Sequence, residues 1–233
     1  ADGVECLLVD GRSHEAMRGR LGALGGIGMD SADLITVGER SYEAGCPLGG
    51  YDPAARLKVM DDERIDIVLL YPTIGIAWEG MVGDATLATA YCRAYNRWLV
   101  DFCSTDRRRL VPVAHISLLD PEGAVAEVQR ARKDGCAGVY LSPDPSSRGG
   151  MQFDDPKLAR FWSTVEDLDM PVAFHVVVRT DQTLPEWYAP NDGPIGSVVF
   201  AFAFLALDVM AAFTSMMTRG MFETYPRLKM AVL

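Results

Sequence analysis

Basic charge is scarce: 22 lysines and arginines stand against 32 aspartates and glutamates, a net charge of −10. Such a surface repels phosphate backbones and anionic headgroups, so neither nucleic acid nor a membrane is an expected partner. Cysteine is also sparse and poorly spaced for cross-linking. Cys6, Cys46, Cys92, Cys103 and Cys136 form an odd set without a Cys-x-x-Cys pair, which argues against a disulfide framework and fits reduced thiols in a cytoplasm. No basic stretch followed by an apolar one opens the chain, so no signal peptide is expected. No Gly-x-Gly-x-x-Gly follows an apolar run, which removes the best sign of a dinucleotide-binding sheet. Histidine is limited to three residues, His14, His115 and His175.

The 233 residues that remain to be explained are 49% hydrophobic and 23% charged, the balance of a soluble globular protein with room for one large domain or two small ones. Residues 1–51 are rich in glycine and lack sustained periodicity, so they read as long loops with one short strand near 5–9. From Asp52 the pattern becomes regular. Asp52-Pro53 is an N-cap followed by proline at the first helical position, and Leu57, Met60 and Ile65 carry an apolar stripe. The run at 65–71, ended by Pro72, reads as a strand buried on both faces. A helix follows at about 84–104, then a strand at 110–116, a helix opened by Asp120-Pro121 and stopped by Gly135, and a strand at 137–141. Asp155-Pro156 opens another helix before a strand at 171–178, and a last strand begins at 228.

Alternating strands and helices imply βαβ units around a parallel sheet. The longest loops, at 72–83, 142–154 and 179–197, all follow strands, which gathers the polar chemistry at strand C-termini as in a (β/α)8 barrel. The expected fold is therefore an α/β TIM-type barrel over 52–233, with Ile67, Leu69, Val111, Val113, Val139, Val172 and Phe174 in or against its core. About five of eight strands are visible, so the barrel is expected to be incomplete at both ends. Residues 195–217 carry a single charge, Asp208, and are long enough to cross a bilayer. The central charge and the surrounding α/β pattern favour a buried helix instead, apolar all round because it packs on a second subunit in a homodimer or higher homo-oligomer.

Several stretches then carry a family resemblance: Asp52-Pro53-Ala54-Ala55-Arg56-Leu57 through Met60-Asp61, Ile65-Asp66-Ile67-Val68 ending at Tyr71-Pro72-Thr73, Asp120-Pro121-Glu122, Pro171-Val172-Ala173-Phe174-His175, and residues 222–229. In order and spacing they resemble the amidohydrolase-related metal-dependent hydrolases, the branch that includes aminocarboxymuconate semialdehyde and resorcylate decarboxylases. The resemblance implies an enzyme that uses a divalent metal ion, Zn²⁺ first and Mn²⁺ second, on a small carboxylated or cyclic substrate. It implies non-oxidative decarboxylation ahead of hydrolysis, and it assigns His175 as a metal ligand. The family's opening His-x-His and its late aspartate ligand do not occur in these 233 residues.

The residues themselves leave choices open. His175, at the end of an apolar strand, is suited to holding a cation, or to sitting hydrogen-bonded in the core. His115 is placed either to touch substrate or to fill the barrel interior, and His14 reads as solvated. Arg179 could clamp a substrate carboxylate or make a surface ion pair. Tyr71, Thr73, Ser142 and Asp144 end strands and could line the pocket, although turn chemistry also explains Asp144-Pro145. Trp78 and Trp187 could wall an aromatic substrate or simply pack their loops. No catalytic acid or base is identifiable. A metal-free barrel that binds a small molecule, or serves as an assembly subunit, is the competing expectation.

Overall fold

The computed structural model describes residues 5–14, 42, 46–175 and 196–233, with side chains in the last stretch described from Ala206 onward. It opens on a hairpin of β1 (Leu8–Val9) and β2 (Arg12–Ser13). Asp10 and Gly11 both take positive φ at its tip, as a two-residue hairpin turn requires. Val9 packs with Trp78, Val82, Ala88 and Cys92, tying the hairpin to the body.

The body alternates helices with five further strands: α1 (Pro53–Asp62), β3 (Val68–Leu70), α2 (Gly75–Trp78), α3 (Ala85–Cys103), β4 (Leu110–His115), α4 (Pro121–Asp134), β5 (Gly138–Leu141), α5 (Ala159–Asp167), β6 (Val172–Phe174), α6 (Gly196–Thr218), α7 (Met221–Thr224) and β7 (Met230–Val232). Caps set the boundaries. Asp52 accepts from the Ala55 amide and Asp84 from the Leu87 amide, while Gly135 stops α4 in the left-handed region at φ 105°. Asp120 makes no side-chain capping bond, so Pro121 at the first helical position carries that start.

All five strands are parallel and lie in the order β3-β4-β5-β6-β7. Spatial order equal to chain order has no reversal point, which excludes a doubly wound sheet and is the winding of a barrel. Register separates two faces. Leu110, Ala114, Val139, Leu141, Val172 and Phe174 point to the helices, where Val125, Val128, Phe161, Trp162, Val165, Val209 and Met216 complete a closed core. Leu69, Val111, Val113, His115, Tyr140 and Ala173 share the opposite face, and Tyr71 and His175 continue it by alternation. That face curls. Three strand spacings, about 14 Å in a flat sheet, separate β3 from β6, yet the rings of Tyr71 and His175 lie 6.4 Å apart.

The curl corrects two expected core positions. Ile67 and Leu69 are each 56% exposed, and Val111 is half-buried. β3 is an edge strand, so its inward face has no strand beyond it among the described residues, whereas Val113, Val139, Val172 and Phe174 are buried as expected. The long apolar helix is two-sided in the single chain. α6 buries Val209, Ala212 and Met216 against the core, while Leu207, Met210 and Met217 on its other side are exposed. Among the described residues no helix is long and apolar enough to cross a membrane.

Candidate active site at the strand C-termini

β6 is buried along its length, and the chain emerges from it at His175, which is half-buried. Two tyrosines meet its imidazole. Tyr71, just past β3, stacks at 6.4 Å with 30° between ring planes; Tyr140, from the middle of β5, approaches edge-on at 6.2 Å and 80°. Both reach His175 because strand alternation puts all three on the curled inner face.

Behind Tyr140 lies a buried polar group. The Tyr140 hydroxyl donates to Glu79 Oε2 at 2.6 Å, and Glu79 Oε1 sits 3.2 Å from His115 Nε2. Glu79 Oε1 and both ring nitrogens of His115 are buried without a hydrogen bond. Glu79 is 2% exposed, and His115 and Tyr140 are fully buried. Burial, and after it the neighbouring Glu79 carboxyl, pushes the Tyr140 phenol well above its ordinary range, so the hydroxyl remains a neutral donor. Trp78 stacks on His115 at 5.1 Å, and Tyr140 meets His115 edge-on at 4.7 Å. Gly75 closes the remaining side. A Cβ there would stand 2.7 Å from Pro72 Cβ and 3.2 Å from His115 Nδ1, so only glycine lets the loop lie this close.

His115 is held by its backbone too. Asn96 in α3 accepts from the His115 amide at 2.7 Å and donates to its carbonyl at 2.9 Å, and its amide nitrogen also reaches Glu127 at 2.7 Å. A helix side chain thus supplies the pairing that a neighbouring strand would otherwise give to the end of β4. After β5 the chain turns sharply: Asp144 accepts from the Ser146 amide, and Ser147 donates to the Asp144 carbonyl. Arg148, almost fully buried, donates to the carbonyls of Met151 and Pro143 and lies 3.8 Å from the Phe153 ring centre. Burial brings its guanidinium down to about 10.

Of the residues singled out from sequence, Tyr71 and His175 come together at the mouth. Trp78 and His115 are brought together one layer behind it, where neither faces solvent. Asp144 is 2% exposed and serves the turn after β5. His14 is fully buried, not solvated, because the β1–β2 hairpin folds onto the body. Arg179 and Trp187 lie outside the described residues. Sequence reasoning missed Glu79, Tyr140 and Asn96. Asn96 carried a usable signal, being the polar member of the buried stripe Ala88, Cys92, Leu99 and Cys103. Among the described residues no three His, Cys, Asp or Glu side chains converge to hold a cation. The described residues therefore do not by themselves fit the divalent ion that the resemblance implies.

The chain belongs to the amidohydrolase family, whose model matches residues 49–233. The γ-resorcylate decarboxylase of Rhizobium radiobacter is 27% identical over 179 residues, 74% of this chain and 52% of that protein. Among solved structures, a 2,6-dihydroxybenzoate decarboxylase complexed with 2,6-dihydroxybenzoate is 26% identical with a TM-score of 0.58, covering 76% of this chain and 54% of its own. The 5-carboxyvanillate decarboxylase of Novosphingobium aromaticivorans, complexed with manganese, shares the fold at 22% identity and a TM-score of 0.65, over 84% of this chain and 51% of its own. The chain spans about half the length of the curated relatives it matches.

Proposed function

We propose that the protein removes the carboxyl group of a small hydroxylated aromatic acid as carbon dioxide, without an oxidant, at the strand C-termini around His175. The observation that carries this reading is the setting of His175 between the rings of Tyr71 and Tyr140 on the inner face of a barrel-type sheet. Of the two rings only Tyr71 is partly exposed, so Tyr71 offers the face for a flat aromatic substrate, for which offset stacking contributes about 0.5–1.5 kcal/mol beyond burial, while the buried Tyr140 backs the imidazole. In the reaction a proton adds to the ring carbon that bears the carboxyl. The bond from that carbon to the carboxyl then breaks, and its electron pair restores the ring. A hydroxyl beside the carboxyl favours protonation at that carbon, which is why hydroxylated benzoates are the substrate class. Decarboxylases among the relatives support the reading, and hydrolysis of a C–O or C–N bond stands second.

In this proposal His175 is the described residue offered to a divalent ion, Zn²⁺ or Mn²⁺, and any further ligands come from outside the described residues. A metal-free barrel that binds a small molecule or serves as an assembly subunit is the rival reading, and the absence of a His-x-His from these 233 residues is the feature that favours it. The test is a screen of ortho-hydroxylated benzoates with the protein, following loss of the substrate's ultraviolet absorbance and appearance of the phenol. Turnover of one member supports decarboxylation; binding without turnover across the set supports the rival.

A further inference from the structure

Glu79 is an expensive residue to keep. It is 2% exposed, one of its carboxyl oxygens makes no hydrogen bond, and the imidazole beside it has none at either nitrogen. Buried polar atoms left unpaired destabilise a fold, and an apolar side chain of the same size would fill the space without that penalty. Packing alone does not account for a glutamate here. Its one hydrogen bond is the informative contact: Oε2 accepts from the Tyr140 hydroxyl at 2.6 Å, and the Tyr140 ring is the wall that meets His175 edge-on. The opposite wall, Tyr71, begins the same nine-residue stretch that Glu79 ends, so one loop sets both sides of the imidazole. Within that loop Trp78 and Gly75 press on His115, which in turn lies edge-on to Tyr140.

We propose that Glu79 is a positioning residue: through the Tyr140 hydroxyl it fixes the aromatic wall against which the His175 imidazole is set. This rests on the reading of His175 as a site residue. Glu79 touches neither the mouth nor a substrate placed there, and it acts by holding a ring in one orientation. His115 is the second brace on that ring, and Asn96 fixes His115 from behind.

The test compares the full chain with Glu79→Met, Tyr140→Phe and Glu79→Gln, reading the His175 imidazole resonances by NMR together with kcat, KM and the thermal midpoint. Glu79→Met and Tyr140→Phe should both shift the His175 resonances although neither residue bonds to it. Glu79→Gln, whose amide oxygen still accepts from Tyr140, should keep them near their original positions. Where turnover is measurable, kcat should fall in the first two variants by up to about a hundredfold, the scale of a 1 Å misplacement, with KM little changed. His175 resonances unmoved in Tyr140→Phe, a change of one oxygen atom, would overturn the proposal even if Glu79→Met fails to fold. So would a loss of melting temperature in Glu79→Met with His175 unperturbed, the result a merely structural role gives. Should the protein turn over no aromatic acid, the proposed function fails, and the resonance comparison still decides the role of Glu79.

Discussion

Replacing Asn96 with alanine should loosen the end of β4 more than any surface change, by an amount that follows from the bonds removed. The side chain is fully buried and makes three hydrogen bonds, to the amide and carbonyl of His115 and to Glu127. Glu127 keeps its pairing with Arg130, so the lasting loss falls on the two backbone groups of His115. A buried donor or acceptor left unpaired costs about 1–3 kcal/mol, giving about 2–6 kcal/mol for the pair. Water entering the space vacated by the amide would bring the figure toward the lower half of that range. Urea unfolding, followed by far-ultraviolet circular dichroism, is the assay, with an unchanged m-value as the sign that the change lies in the folded state. Asn96→Asp is a sharper variant, since it keeps the acceptor for the His115 amide but turns the donor into a second acceptor facing Glu127. It should be at least as destabilising as alanine. A loss below about 0.5 kcal/mol for Asn96→Ala, the range of ordinary surface substitutions, would refute the clamp.

Three other outcomes are expected. Leu69→Ala should cost less than about 1 kcal/mol because the side chain is 56% exposed, whereas Phe174→Ala, in the closed core, should cost about 3–5 kcal/mol; equal losses in urea unfolding would contradict the two-faced sheet. Burial raises the Cys103 thiol to about 11 and the Cys136 thiol to about 12, from an ordinary 9.0. Above pH 9 the unfolded chain then releases protons that the folded chain retains, so stability should fall as pH rises from about 9 to 11, by up to about 1.4 kcal/mol per unit for each thiol, and be fully present below 9. Urea midpoints across that window check it, and a Cys103→Ala, Cys136→Ala double variant with the same slope would count against it. Metal analysis of the protein purified without chelator should return near one equivalent, falling in His175→Ala, while less than about a tenth of an equivalent would favour the metal-free binder.

The sheet was readable because its strands are apolar runs closed by proline or glycine, and caps such as Asp52-Pro53 and Gly135 announce helix ends locally. Inward and outward faces were harder. An unbroken apolar run shows no alternation, so Leu69 and Leu70 look equivalent in sequence although only Leu70 packs against the α1–α3 cluster. His175 and Tyr71 were singled out because they end strands, where barrel chemistry gathers. Glu79 and Tyr140 were not, since their bond joins residues 61 positions apart and neither lies in a local pattern that marks a site. The Asp10-Gly11 turn, a hairpin signal that the sequence reading passed over, folds β2 back on β1 just before the buried His14.

The central claim is that an aromatic acid loses its carboxyl at the mouth formed around His175. Release of labelled carbon dioxide from a hydroxybenzoate carrying ¹³C in its carboxyl, measured side by side for the protein and its His175→Ala variant with both thermal midpoints recorded, tests it most directly. The account predicts label release by the protein and none by the variant, at nearly the same midpoint, because a half-buried imidazole just past the C-terminal end of β6 contributes little to the closed core. Equal release by both, or a large fall in midpoint with release intact, would contradict it.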